Sequence, residues 1–211
     1  MCIRDSCSLS CSTPNIIESK SFKLYLNSFN QSTFASAHEV HEVLERDLSK
    51  VAGGDVAVEL FNADDIDALA VIKLPGMCID GLDISIDDYQ LNPSLLKAAS
   101  ENEVLSETVH SHLLKSNCLI TNQPDWASVV ISYTGQRIEH ESLLRYLVSF
   151  RTHNEFHEQC VERIYCDLWR TFELQELSVQ ALYTRRGGLD INPFRSSNSE
   201  TKAPFMRINR Q

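Results

Sequence analysis

The sequence predicts an α+β fold built from two tandem copies of one sheet-and-helix unit, and three observations carry that prediction. Tyr146-Leu147-Val148-Ser149-Phe150 echoes Tyr25-Leu26-Asn27-Ser28-Phe29. Each copy is followed by a stretch with apolar residues at three- and four-residue steps and then by a strand, over 55–61 in the first half and 177–183 in the second. The second half also carries a hairpin signal, because Asn122-Gln123-Pro124 separates two short apolar runs.

Taken in order, residues 1–14 hold three Cys and four Ser without periodicity and read as an unrelated or disordered leader. Their Cys spacing does not match the usual zinc-ligand pairs. Residues 17–29 suit a strand end running into a helix. Val40, Val43, Leu44, Leu48 and Val51 mark an amphipathic helix over 38–51, closed by Gly53-Gly54. The alternation over 55–61 is that of a strand, and with it the first unit is expected to span 15–92. The acidic stretch 80–88 lacks the ligand spacing of a calcium loop and reads as strand and linker with solvated acids. Leu95, Leu96, Val104, Leu105, Val109, Leu113 and Leu114 make 93–115 a partly helical connection. The second unit, 116–197, contains the hairpin and a helix whose apolar stripe is Phe156, Cys160, Val161, Ile164, Tyr165 and Leu168, so that Cys160 reads as core. Residues 198–211 read as a loose tail.

Composition narrows the function. With 19 Lys and Arg against 29 Asp and Glu, the chain carries a formal net charge of -10, which argues against direct contact with nucleic acid. No apolar run approaches the roughly 18 residues of a membrane span. Seven Cys, an odd number without paired spacing, point to a reducing, cytoplasmic setting.

The chemistry is expected in Ser116-Asn117-Cys118-Leu119-Ile120-Thr121-Asn122-Gln123-Pro124-Asp125-Trp126. Leu119 and Ile120 suit a short strand and 127–133 its return, so a hairpin would bring the Cys118 thiol close to the Asp125 carboxylate. A free thiol is only a few per cent ionised at neutral pH, and a nucleophilic role needs a polarising environment or a proton acceptor. On spacing alone a buried structural Cys beside a turn is the plainer reading. His153 and His157 have the i, i+4 spacing of zinc ligands, but Asn154 stands where a metalloprotease helix needs Glu, and a helix N-terminus favoured by Glu155 and Glu158 is the simpler interpretation. No metal site is assigned. Arg185-Arg186-Gly187-Gly188 combines positive charge with backbone N–H groups open to a phosphate, or is a basic hairpin. Without a Rossmann glycine fingerprint, no standard dinucleotide fold is implied.

That eleven-residue run, with Glu18-Ser19-Lys20-Ser21-Phe22-Lys23-Leu24-Tyr25, Phe156-His157-Glu158 and Arg185-Arg186-Gly187-Gly188, resembles the NADPH-dependent 7-cyano-7-deazaguanine reductases, the nitrile reductases called QueF, from about residue 15 to about residue 197. The resemblance implies tandem tunnelling-fold (T-fold) units, antiparallel sheets each backed by two helices, in a homodimer. It implies a small-molecule deazapurine substrate and NADPH as cofactor, in queuosine biosynthesis. Cys118 would be the nucleophile, giving a covalent thioimidate, with Asp125 managing protons and His157 relaying them or positioning the nicotinamide. Ile17, Glu18, Ser19, His157 and Glu158 would bind substrate, the two glutamates from different edges of the base and hence between the repeats. Ser19, Lys20, Arg186 and Gly187 would contact NADPH. Two-domain relatives carry further sequence ahead of the Glu18 motif, which implies a truncated or mis-started copy. The alternatives are a Cys-dependent nitrile or amide hydrolase and a non-catalytic purine- or pterin-binding protein of the same fold.

Overall fold

The computed structural model describes residues 3–62, 64, 70–100 and 104–211, and the chain divides into one compact unit over Met1–Ala70 and another over Val71–Gln211. In the first, β1 (Ile3–Leu9) pairs antiparallel with β2 (Val56–Asn62), and α1 (Ser19–Phe29) and α2 (Ala37–Ala52) lie between them in sequence. The Ser36 side chain accepts the Glu39 N–H to start α2, and Gly53, at φ 72, ends it in the left-handed conformation that a residue without Cβ adopts at little cost. Val40, Leu44, Leu48 and Ala52 then face Val56 and Val58 of β2 in a small core.

In the second unit a five-stranded sheet has the order β3-β4-β5-β6-β7: β3 (Met77–Cys78), β4 (Val104–Asn117), β5 (Pro124–Gln136), β6 (Leu174–Tyr183) and β7 (Phe194–Ser196). All neighbours are antiparallel except the two-residue β3, which runs parallel to β4. Val129, Ile131, Val179 and Ala181, two apart along their strands, share a face and pack with α3 (His140–Val148) and α4 (His157–Thr171). Cys160 is fully buried there. A sheet with two helices on one face is the arrangement expected of each repeat.

The echo in sequence is an echo in bonding. Tyr25 Oη donates to Asp47 Oδ2 at 2.9 Å across α1 and α2, and Tyr146 Oη donates to Asp167 Oδ2 at 2.7 Å across α3 and α4. Each tyrosine meets a phenylalanine four residues on, edge to face, at 5.1 Å in one unit and 5.4 Å in the other. Each carbonyl, of Tyr25 and of Tyr146, accepts a hydroxyl three residues on, from Ser28 and Ser149.

Several expectations change. Residues 3–9 of the expected leader form β1, whose period-2 pattern is muted by its serines; residues 1 and 2 lie outside the described residues. No strand precedes α1 at residues 16–18, and none covers 80–88. The connection 93–115 holds only a 3-10 turn at Pro93–Leu95 and is otherwise dominated by β4, with 101–103 outside the described residues; Ile79 and Leu96 are buried in the second core, so the unit boundary falls well before residue 92. The end of the chain is packed: Ile208 is buried, the Gln180 side-chain amide donates to Pro204 O, and the Gln211 side chain to Tyr183 O.

Candidate active site

β4 and β5 form the expected hairpin, with the strand ending earlier than Leu119. Asn117 pairs with Pro124 and Ser116 with Asp125, and residues 118–123 form the turn. Cys118 N–H donates to Gln123 O at 2.8 Å and Asn122 N–H returns to Cys118 O at 2.9 Å. Asn122 adopts φ 54, a conformation that Asn tolerates better than most residues. Leu119 and Ile120 are consequently exposed at the turn.

The turn is tied to the segment that leads into α4. Asn117 N–H donates to His153 O at 2.8 Å and Glu155 N–H to Asn117 O at 3.1 Å, while Asn154 Nδ2 donates to Asn122 Oδ1 at 2.9 Å. Lys115 Nζ adds a bond of 2.7 Å to Arg151 O. These bonds bring the N-terminus of α4, with His157, up to the hairpin.

Asp125 is the centre of the cluster and is only 2% exposed. Its Oδ1 accepts from Arg186 Nη1 at 2.5 Å, and its Oδ2 lies 3.4 Å from His157 Nε2. Burial favours the neutral acid, yet His157 and Arg186 hold the carboxyl below the usual carboxylate range. The His157 ring stands edge-on to Tyr183, with centroids 4.1 Å apart. Arg186 also donates to the Gln123 side chain, so one guanidinium fastens the returning end of the turn to Asp125.

Cys118 is half-buried, which by itself raises a thiol pKa. Donors outweigh that cost. The Thr121 hydroxyl, the Thr121 and Ile120 backbone N–H groups and Arg186 all support the sulfur, and the thiol is lowered to about 7. The Thr121 hydroxyl is buried and makes no well-aligned hydrogen bond among the described residues, which leaves it available to the sulfur. Cys160, in the apolar core, is by contrast raised to about 11 by burial. The hairpin turn therefore carries an activated thiol and α4 an inert one.

The structure brings Cys118, Asp125, His157 and Arg186 together. Glu158, beside His157 in the first turn of α4, is half-buried and makes no hydrogen bond or ion pair among the described residues. Glu155, three residues earlier, is spent on Arg163 and His153. His153 thus faces Glu155 and His157 faces Asp125, not a shared metal. In the first unit, Ile17 packs on the small core, and Glu18 caps α1, its two oxygens accepting from Lys20 N–H and Ser21 N–H at 2.8 Å each. Ser19 and Lys20 form the first turn of that helix.

Around Gly187, at φ 61, and Gly188, at φ 89, the chain turns back so that Arg186 N–H donates to Leu189 O. Arg185 Nε and Nη2 are buried without partners. A guanidinium left unsatisfied beside two exposed glycines fits a phosphate group. Sequence reasoning missed Thr121 and Gln123, whose side chains matter only once the turn's path is known, and it read Arg186 as a phosphate contact without its bond to Asp125.

Comparison with known proteins gives the family. A family model described as the N-terminal part of the nitrile reductase 7-cyano-7-deazaguanine reductase matches residues 3–60, and one described as QueF-like protein matches residues 124–202. The first match includes residues 3–14, which were expected to lie outside the resemblance. The chain is 60% identical over 206 residues to the NADPH-dependent 7-cyano-7-deazaguanine reductase of Colwellia psychrerythraea, covering 95% of this chain and 72% of that protein. Among solved structures, the apo crystal structure of the archaeosine synthase QueF-Like aligns with a TM-score of 0.39 at 15% identity, over 47% of this chain and 96% of that one.

Proposed function

The chain belongs to the family of NADPH-dependent 7-cyano-7-deazaguanine reductases, and from that premise we propose that Cys118 is the nucleophile with which it reduces its nitrile. The activity is the reduction of the nitrile of 7-cyano-7-deazaguanine to an aminomethyl group, a step in queuosine biosynthesis. NADPH, when bound, supplies the two hydrides that this four-electron reduction requires. The observation that carries the proposal is the geometry of the hairpin: Cys118 opens the turn whose return strand carries the buried Asp125, held by Arg186 at 2.5 Å and facing His157 at 3.4 Å, with the thiol lowered to about 7 in the same turn.

The residues divide the work as follows. Cys118 Sγ adds to the electrophilic nitrile carbon, forming a C–S bond as one C–N π bond breaks, and the nitrogen takes up a proton to give a thioimidate. That proton passes through the Asp125–His157 pair, whose facing atoms are 3.4 Å apart. After reduction the carbon–sulfur bond breaks, and Cys118 leaves as a thiolate that its turn donors stabilise. Glu158, with a half-buried carboxylate and no other partner, accepts hydrogen bonds from the amide N–H and amino group of the base. Glu18 in the first unit is proposed as a further base contact; its oxygens already cap α1, so binding there adds to existing bonds. Arg186 keeps Asp125 charged, while the turn at Gly187 and the unsatisfied Arg185 fit the cofactor phosphate, with Ser19 and Lys20 as further contacts. This refines the expectation for Arg186.

We further propose a cytoplasmic homodimer that does not contact nucleic acid, supported by the charge of -10 and by cysteines that are free in the described residues. Among the described residues no helix is long and apolar enough to cross a membrane. A hydrolase using the same thiol would consume no NADPH. Mixing protein, 7-cyano-7-deazaguanine and NADPH, and following the reduced nicotinamide by absorbance, tests the proposal: two NADPH oxidised per substrate is expected from the native chain and none from Cys118→Ala. Turnover by Cys118→Ala would remove the nucleophile assignment.

A further inference from the structure

Away from the catalytic hairpin, the second unit holds another cluster of donor side chains. Cys78 of β3 and His110 and His112 of β4 each offer a ligand atom, and the three atoms all lie within 4.8 Å of one another. The backbone brings them there. Cys78 is paired with His110 in the short parallel bridge, and His110 and His112 stand two apart on β4. The register of β4 against β5 shifts after Ser111, a bulge that sets His112 and Leu113 against Ser128.

Both imidazoles are already oriented. His110 Nδ1 lies 2.8 Å from Pro75 O, and because a carbonyl only accepts, Nδ1 carries the proton. The neutral ring then presents the lone pair of Nε2. His112 Nδ1 lies 2.7 Å from Ser128 Oγ, a hydroxyl that can donate or accept, and in the tautomer where it accepts from Nδ1 the lone pair of Nε2 is left for a ligand role. Hydrogen bonds of this kind, made by the ring nitrogen that is not ligating, fix the tautomer and direction of metal-bound histidines. Asp80 accepts from Ser111 Oγ at 2.5 Å and from His112 N–H at 2.9 Å, which places a negative charge at the bulge. Cys78 is exposed, so its thiol can rotate toward the two rings.

We propose that Cys78, His110 and His112 form a three-ligand site for a divalent transition metal of the zinc class, which fastens the segment before β4 to the sheet. One thiolate and two imidazoles are a donor set that suits zinc, and tetrahedral bonds of about 2.0–2.3 Å need only a modest closing of the present spacing. The segment is held closely without metal at one point, since a Cβ on Gly76 would stand 2.1 Å from Thr108 O. Beyond it, β3 has only two residues. Binding forms a metal–sulfur bond and releases the Cys78 thiol proton, with no change of oxidation state.

The test uses the full chain carrying Cys118→Ser, so that the reactive thiol does not contribute, stripped with chelator and titrated with Co2+. The expected result is one equivalent bound per chain with a thiolate-to-cobalt charge-transfer band, displaced by Zn2+. Adding Cys78→Ser should abolish the band, and His112→Gln should weaken binding at least about tenfold. Since Cys78 is exposed, its replacement removes a ligand without opening the core. No charge-transfer band at stoichiometric Co2+, or a band that survives Cys78→Ser, would overturn the site.

Discussion

At Cys118 the balance is between burial, which favours the thiol, and four donors, which favour the thiolate. With the pKa at about 7, the rate of alkylation by iodoacetamide should rise with pH and reach half its plateau near that value. Thr121→Val and Arg186→Gln each remove a donor and should move the midpoint upward; a native midpoint near the ordinary value of about 8.5 would contradict the assignment. Asp125 gives a second prediction, with the sign fixed by its lowered pKa. Its ionised form stabilises the fold above the unfolded value of about 3.9, and that stabilisation is lost as pH falls through the lower folded value. Urea midpoints measured against pH should therefore fall less steeply in acid for Asp125→Asn than for the native chain. Cys118 and Asp125 were legible as a motif, because a thiol and a carboxylate flank turn residues. Thr121 and Gln123 were not, because a threonine or glutamine in a turn gives no sign of where its side chain will point.

Among the elements, the paired helices of the two units make the same bond, from Tyr25 to Asp47 and from Tyr146 to Asp167. Tyr25→Phe and Tyr146→Phe should each cost about 1 kcal/mol in chemical denaturation, the usual net worth of one such bond or slightly more for a charged acceptor. A neutral result for both would mean that the shared bond is incidental. The repeat and the helix ending at Gly53 could be read from sequence, since apolar spacing and a left-handed cap are local signals. β4 could not. Leu105, Val109 and Leu113 fall at four-residue steps and imitate a helix, whereas the bulge after Ser111 lets Val109 and Leu114 both be fully buried although they stand an odd number of residues apart. The Cys78, His110 and His112 cluster was hidden for a related reason: its members belong to strands that only the sheet register brings side by side.

Across the whole molecule, the proposed nucleophile and the residues hydrogen-bonded around it lie in the second unit, from the hairpin at 118–123 to the turn at 185–188. The end of the chain belongs to that unit as well. Removing residues 204–211 takes away the buried Ile208 and the bonds to Gln180, Tyr183 and His112, and should lower the melting temperature by several degrees; an unchanged value would mean that this packing is not stabilising. The overall α+β class and the hairpin at 118–123 followed from pattern, while the end of the chain looked loose because its polar composition does not disclose backbone pairing. The most direct measurement is an intact-mass spectrum of the native chain incubated with 7-cyano-7-deazaguanine without NADPH, with the modified peptide located. A single adduct of one substrate mass on Cys118, absent from Cys118→Ala and discharged by adding NADPH, is the expected result; an unmodified Cys118 in protein that still oxidises NADPH with this substrate would contradict covalent catalysis.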